Sequence, residues 1–314
     1  MKRIYVGVCG WEYLQTRDDK LRDCARLFDA VEVNSTFYSF PSMKVVRSWR
    51  SRVPSDFVFT MKAHKIITHV NRFKLNSETI EALKKTAEIY FVGRMKLLVL
   101  QVPFNQPPEE RFLSSLSELL RYVNDLGMKA GVEARGYRWR NRKARMKLKE
   151  ILQRYEVTHV FDASYEEPVY HNNVIYSRIY GKGYHTLWVL DDDEIKSIAE
   201  LARRYAEKGL VFLMAHGCKM YDDAIRMKEY IYKDVILPIY IPQGVPAIKR
   251  ALMEKPVYPA TKKQLIRDHG WKVVDLNRYK RVRFKELLEK IDDRVYRSVD
   301  EVVEEVKRVA GIEG

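Results

Sequence analysis

Residues 96–133 read KLLVLQVPFNQPPEERFLSSLSELLRYVNDLGMKAGVE, and this stretch decides the fold. Lys96–Gln101 is an apolar run without polar alternation, the pattern of a strand covered on both faces in a parallel sheet. Pro107 and Pro108 then open a segment in which Phe112, Leu116, Leu119, Leu120 and Val123 recur at helical spacing. After it, Lys129–Glu133 returns to a short strand-like run. Strand, helix and strand follow one another here with only short connections, which is the repeating unit of a parallel α/β sheet.

The same unit extends in both directions. The candidate strands are Ile4–Cys9, Ala30–Asn34, Phe57–Met61, Lys96–Gln101, Lys129–Glu133, Thr158–Phe161, Val174–Arg178 and Gly209–Met214. Ser77–Phe91 is predicted as a helix with Ile80, Leu83, Lys84, Ala87 and Tyr90 on one stripe. Asp191–Lys208 is a second, with an acidic opening turn that suits the helix dipole. Eight such strand–helix units in about 240 residues predict a (β/α)8 TIM-type barrel over 1–241. A doubly wound open sheet fits less well, because VCGWEY after the first strand is not the GxGxxG phosphate turn.

Beyond Ile241 the pattern changes. Pro242, Pro246, Pro256 and Pro259 punctuate 242–257, read as a linker. Residues 258–314 are predicted as a small helical appendage, with helices over Thr261–His269 and Phe284–Ile291. Ser298 with Glu301 is a capping box for a last helix whose apolar face is Val299, Val302, Val303, Val306 and Val309.

Composition limits the function. With 46% hydrophobic and 32% charged residues, the 314-residue chain is neither disordered nor an integral membrane protein. Its longest apolar run, Val235–Pro242, is far shorter than the ~20 residues of a membrane helix. No secretory leader is read at the start, and Cys9, Cys24 and Cys218 make no CxxC or paired framework, which predicts a reducing cytoplasm. Fifty-seven Lys and Arg against 42 Asp and Glu give a net charge of +15. That balance points to an acidic partner, or to the surface ion-pair networks of a thermophile protein.

In such a barrel the reacting groups sit at the C-terminal ends of the strands. Glu32 and Glu133, from the second and fifth strands, are candidates for an acid–base or metal-holding pair, or for an internal ion network with Lys62, Arg135 or Arg178. His64, His69, Asp162 and His216 are candidate ligands for a divalent ion, with Zn, Mn or Mg in view, although no HxH or HExxH supports them. Lys62, Arg135 and Arg178 suit an anionic group. Asn34 and Gln101 are further polar strand ends. Trp11, Tyr38, Trp139, Tyr180 and Tyr184 can line a base or sugar site, or pack the loops. Cys9 and Cys218 end the first and last strands, which are neighbours on closure, and buried thiols are the usual reading.

VGVCGWEY, VEVNSTFYSFPS, FTMKAHKIITH, LQVPF, VEARGYRW and SRIYGKGY follow one another over roughly residues 1–230. In this order they resemble the strand-end motifs of the YecE-like TIM-barrel family, catalogued as domain of unknown function 72. The tail motifs YPATKKQLIRDHG and VYRSVDEVVEEV are similar to another small helical domain of unknown function. The resemblance implies the barrel and a site at its mouth; the analogy offered for nucleic-acid binding is the barrel of endonuclease IV, at the level of fold. The chain departs from the family at Leu14–Asp19, at Tyr180–Gly181, where His-Gly is usual, and at Ala215–His216, where Asn is common.

Two basic stretches add to this. Arg135–Lys149 holds eight Lys or Arg and no acid, and Arg278–Lys285 holds five in eight residues, with Tyr279 and Phe284 among them. The leading expectation is therefore a nucleic-acid-binding, metal-dependent phosphodiesterase or nuclease, with Glu32, Lys62, Glu133 and Arg178 as its catalytic residues. The alternatives are a non-catalytic binder of nucleic acid or another polyanion, and an enzyme of a small phosphorylated or anionic metabolite. No oligomeric state is read from the sequence.

Overall fold

The computed structural model describes residues 3–14, 16, 19–182, 187–239, 241–253, 258–277 and 279–312. They form two compact units. The first ends at Leu237 and holds the barrel; the second begins at Pro238 and takes in 217–219 and the described residues of 183–189.

Eight parallel strands close in sequence order: β1 (Ile4–Val8), β2 (Ala30–Val33), β3 (Val58–Lys62), β4 (Leu98–Gln101), β5 (Ala130–Glu133), β6 (Thr158–Phe161), β7 (Val174–Ile179) and β8 (Leu210–Ala215). β8 pairs with β1 from Ile4↔Val211 to Val8↔Ala215, which shuts the barrel. Helices α1 (Lys20–Leu27), α2 (Met43–Ser51), α3 (Ser77–Val92), α4 (Glu110–Asp125), α5 (Arg142–Arg154), α6 (Asp192–Ala206) and α7 (Met220–Lys233) complete the unit. The expected helix between β6 and β7 is missing: 162–173 carries none. Only twelve residues are available there, Pro168 lacks an amide hydrogen, and the Tyr170 carbonyl accepts from His159 N, so the segment runs as turn and loop.

Strand alternation sorts the interior into two cores. Val6, Val8, Val31, Val33, Phe59, Met61, Leu98, Leu100 and Leu213 point outward and join the helices in one buried cluster. Their neighbours at the other parity, Ala30, Val58, Leu97, Val99, Val160, Tyr176, Phe212 and Met214, make a separate cluster that fills the lumen. Tyr5 stacks on Phe212 with ring centroids 5.0 Å apart. α4 buries the expected stripe, with Leu113 added. On α3 the stripe is turned from the one expected: Thr79, Ala82, Thr86 and Ile89 are buried beside Leu83, Ala87 and Tyr90, and Lys84 is exposed. Small side chains let the helix approach its support closely, so polar Thr outranks the longer Lys. Asp191 caps α6 through a full capping box with Glu194.

The second unit is not purely helical. Besides α8 (Val245–Leu252), α9 (Lys262–His269), α10 (Phe284–Leu288) and α11 (Val299–Ala310) it has two small antiparallel pairs, of β9 (Ala260–Thr261) with β12 (Val295–Tyr296) and of β10 (Val273–Asn277) with β11 (Lys280–Arg283). VVDLN and KRVR flank a tight turn whose Asn277 side chain accepts from Tyr279 N, a local hairpin signal hidden under the charge. α8 lies inside 242–257, the segment expected as a linker, and its Ile248 and Leu252 are buried in this unit's core. Ser298 accepts from Glu301 N as expected, but Glu301 Oε2 accepts from Arg297 N rather than closing the box on Ser298. Val302, Val303 and Val306 form the buried face of α11.

Candidate active site at the mouth of the barrel

The lumen parity that places Val58, Val99 and Tyr176 in the apolar core brings polar residues to the next position up. Counting on by two from each gives Lys62 after Thr60, Gln101 after Val99, Asp162 after Val160 and Arg178 after Tyr176. Glu32 follows Ala30 and Glu133 follows Gly131 in the same way. The topmost lumen layer is thus charged where the layers below are greasy.

Arg178 organises it. Its guanidinium is fully buried, with Nη1 2.5 Å from Glu133 Oε2 and Nη2 3.1 Å from Glu32 Oε1. Tyr176 Oη donates to Glu32 Oε2 at 2.9 Å and lies 2.7 Å from Thr60 Oγ1. Gln101 Nε2 donates to Glu133 Oε2 at 2.7 Å, a pair set by the Gln101↔Glu133 register, and Tyr180 Oη donates to Oε1 at 3.2 Å. Arg135 Nε stands 3.8 Å from the same carboxylate, and Arg135 and Arg178 both lie against the Tyr180 ring. Burial alone raises the pKa of Glu133, but the charges of Arg178 and Arg135 and the Gln101 hydrogen bond overcome it and hold the carboxyl at about 2. Burial likewise disfavours the Arg178 cation, yet Glu133 and Glu32 drive its pKa well upward.

Lys62 occupies the same mouth on different terms. It is half-buried, and its Nζ lies 4.0 Å from the centre of the Phe37 ring. Among the described residues Nζ has no hydrogen-bond or ion-pair partner. Burial first, then Arg178 and Arg135, lower its pKa to about 8 against the opposing pull of Glu133 and Glu32. His69 packs edge-on against the same Phe37 ring, and burial with the charges of Lys62 and Arg135 brings it down to about 4. Gly136, at φ +95°, turns the chain directly after Arg135; a Cβ there would meet the Phe104 carbonyl oxygen at 2.6 Å.

Not every expected residue joins this layer. Asn34 donates to the Cys9 carbonyl at 2.8 Å and ties the ends of β1 and β2. Trp11 packs edge-on to Trp49 and lines a separate cleft of about 510 Å³ with Glu12, Lys20 and Arg52. Tyr38 is exposed against Phe37. Trp139 is buried, donates Nε1 to the Gln106 carbonyl at 2.8 Å and packs on Phe112, so it serves the shell rather than a ligand. Tyr184 lies outside the described residues.

The expected metal ligands are dispersed among other tasks. His64 stacks on Phe40 and its Nδ1 accepts from Ile66 N; His69 Nδ1 lies 2.8 Å from Thr68 Oγ1. Asp162 accepts from the amides of Ser164 and Tyr180, both at 2.9 Å, and burial outweighs these bonds to raise its pKa to about 7. His216 lies against the Tyr180 ring. Among the described residues no three His, Cys, Asp or Glu side chains are grouped to hold a metal ion, and Cys9, Cys24 and Cys218 form no disulfide. The residues present therefore do not fit the expected divalent centre. Glu133, which already accepts from Arg178, Tyr180 and Gln101, has little lone-pair capacity left for an ion, and Glu32 Oε1 faces the Arg178 cation at 3.1 Å.

Alternation would have found two residues that were overlooked. Tyr176 and Thr60 precede Arg178 and Lys62 by two and so share their side of the sheet. Phe37 gives no such signal, since it sits in a single 3₁₀ turn, Ser35–Phe37, after β2.

Eight parallel strands, with ionisable groups gathered where they run out, define the chain as a TIM-type barrel carrying a candidate site at its C-terminal mouth. The chain belongs to the family described as "Protein of unknown function DUF72", whose model matches residues 5–239. Among relatives, the UPF0759 protein YecE of Escherichia coli K12 is 35% identical over 69 residues, which cover 21% of this chain and 25% of that protein. Among solved structures, a DUF72 family protein from Enterococcus faecalis V583 superposes with a TM-score of 0.62 at 17% identity, covering 76% of this chain and all of that one. A DUF72 family protein from Thermotoga maritima MSB8 gives 0.61 at 19% identity, over 74% of this chain and all of that one. These likenesses show the fold. No helix among the described residues is long and apolar enough to cross a membrane.

Proposed function

We propose that the barrel is an enzyme acting on a small anionic substrate at its mouth, with the Lys62 amine as the acid–base group. The observation that carries this reading is a contrast within one layer. Arg178 engages both carboxylates, whereas the nearby Lys62 Nζ has neither hydrogen bond nor ion pair among the described residues. With Lys62 protonated, the two carboxylates face three cations, Arg178, Arg135 and Lys62, and the excess positive charge favours an anion. Arg135, half-buried beside Glu133, offers a planar fork suited to carboxylate or phosphate. An amine with a pKa of about 8 gives and takes protons close to neutral pH.

Two findings favour this alternative over a metal-dependent nuclease. Glu32 and Glu133 are committed to Arg178 and its neighbours. Part of the basic stretch after β5 is met from neighbouring elements: Arg145 pairs with Glu166, Lys147 with Glu110, and Arg140 lies over Tyr165. In the second basic stretch Phe284 is core and Arg281 pairs with Asp275, while Arg278 lies outside the described residues.

Thermal shift and calorimetry with inorganic phosphate, small phosphorylated and carboxylated metabolites, and oligonucleotides test the reading. Small anions should stabilise the protein, and Lys62→Met or Arg135→Gln should weaken them about tenfold, the effect of about 1.4 kcal/mol. Stabilisation by oligonucleotides alone, steeply weakened by salt, would overturn it in favour of a nucleic-acid protein.

A further inference from the structure

We infer that the substrate carries an aldehyde or ketone and that Lys62 bonds to it covalently, as an imine formed while Arg135 holds the anionic end. The inference rests on the proposed small-anion site and names its substrate class.

Geometry comes first. Lys62 ends β3, so its amine is delivered from a rigid strand rather than a loop. Its Nζ lies over the Phe37 ring and, among the described residues, is tied to no carboxylate, hydroxyl or carbonyl. An acid–base lysine that only steadied charge would sit on Glu32 or Glu133, but Arg178 has taken both. The groups whose charges reach Lys62 are Arg178, Arg135, Glu133 and Glu32, with His69 packed edge-on to the same Phe37 ring. His69 is neutral at physiological pH and adds no repulsion. Burial and the two arginines leave about a tenth of the amine unprotonated at pH 7, and only the unprotonated form is a nucleophile.

The step balances without any other reactant. The Nζ lone pair adds to the carbonyl carbon and gives a carbinolamine. Both amine hydrogens then leave with the carbonyl oxygen as water, and a C=N bond remains. Addition of water reverses the sequence and restores the amine. A protonated imine draws electrons from the adjacent carbon, so bonds at that carbon become easier to break.

Glyoxylate and dihydroxyacetone phosphate serve as probes, each incubated with the full chain and cyanoborohydride and followed by intact-mass and peptide-mass spectrometry. Reduction should trap a secondary amine at Lys62, on the order of a hundredfold faster than at an exposed lysine at neutral pH, as the difference in unprotonated fraction requires. The trapping rate should rise with a midpoint near pH 8. Lys62→Arg keeps the charge and forms no imine, so it should retain stabilisation by inorganic phosphate and lose the trapped product. Phosphate binding with no selective product at Lys62, or product spread evenly over exposed lysines, overturns the imine and leaves the small-anion reading standing. Neither binding nor trapping, in a chain whose circular dichroism is native, overturns both.

Discussion

The lumen holds two kinds of interior on the same strands. On β7, Val174 and Tyr176 join an apolar cluster with Leu97, Val99 and Phe212, while Arg178, the next inward residue, bridges two buried carboxylates. The lower layers contribute through burial, which grows with area and does not depend on pH. The upper layer pays for desolvating three charges and recovers that cost only while all three are present. A barrel does not need such a layer to stand. Its presence where the strands run out is what makes the mouth the candidate site.

Arg178→Met is the sharpest way to break the comparison. It strands Glu32 and Glu133 without their cation, and urea unfolding should show a loss of about 3–5 kcal/mol. Neutralising the carboxylates in the same chain, as Glu32→Gln, Glu133→Gln and Arg178→Met together, should return most of that loss. If the single and triple variants unfold alike, the three side chains are not coupled. In the lower layer, Leu97→Ala should cost about 2–4 kcal/mol from the cavity it leaves, equally at acid and neutral pH.

Acid sharpens the contrast next. Glu133 titrates at about 2 in the fold, below the ~4.3 of an unfolded glutamate, so the stability it adds is full above that value and fades as pH falls toward 2. Asp162 runs the other way. Its folded pKa of about 7 lies above the ~3.9 of an unfolded aspartate, so its contribution is present below that value and lost as pH rises through 7. Urea midpoints against pH should lose the acid slope in Glu133→Gln and the neutral slope in Asp162→Asn. The smallest effect is expected of Lys62→Met, within about 1 kcal/mol of the parent, because the amine gives up no hydrogen bond or ion pair among the described residues.

Much of this was legible in the residues. Apolar runs such as KLLVLQ and strand-end motifs such as VEVNSTFY placed the eight strands and put Glu32, Lys62, Glu133 and Arg178 at one rim. Which of those groups would pair was not legible, because pairing depends on side-chain reach across the lumen and not on spacing along the chain. That is why Arg178 rather than Lys62 bridges the two carboxylates. Trp139 stayed open between a site and loop packing for a related reason: an aromatic after β5 looks the same whether it turns to the mouth or, as here, packs on Phe112. The short strands of the second unit were hidden because KRVR is mostly charge, and its pairing with VVDLN follows from the turn between them.

The most direct test is the titration of Lys62 itself, followed at Nζ by ¹⁵N-lysine NMR from neutral to alkaline pH and assigned with Lys62→Arg. The account predicts a midpoint near 8, set by burial and by Arg178, and a further fall when Glu133→Gln removes an attracting charge. A midpoint at the ~10.4 of an exposed lysine, unmoved by that substitution, would contradict it.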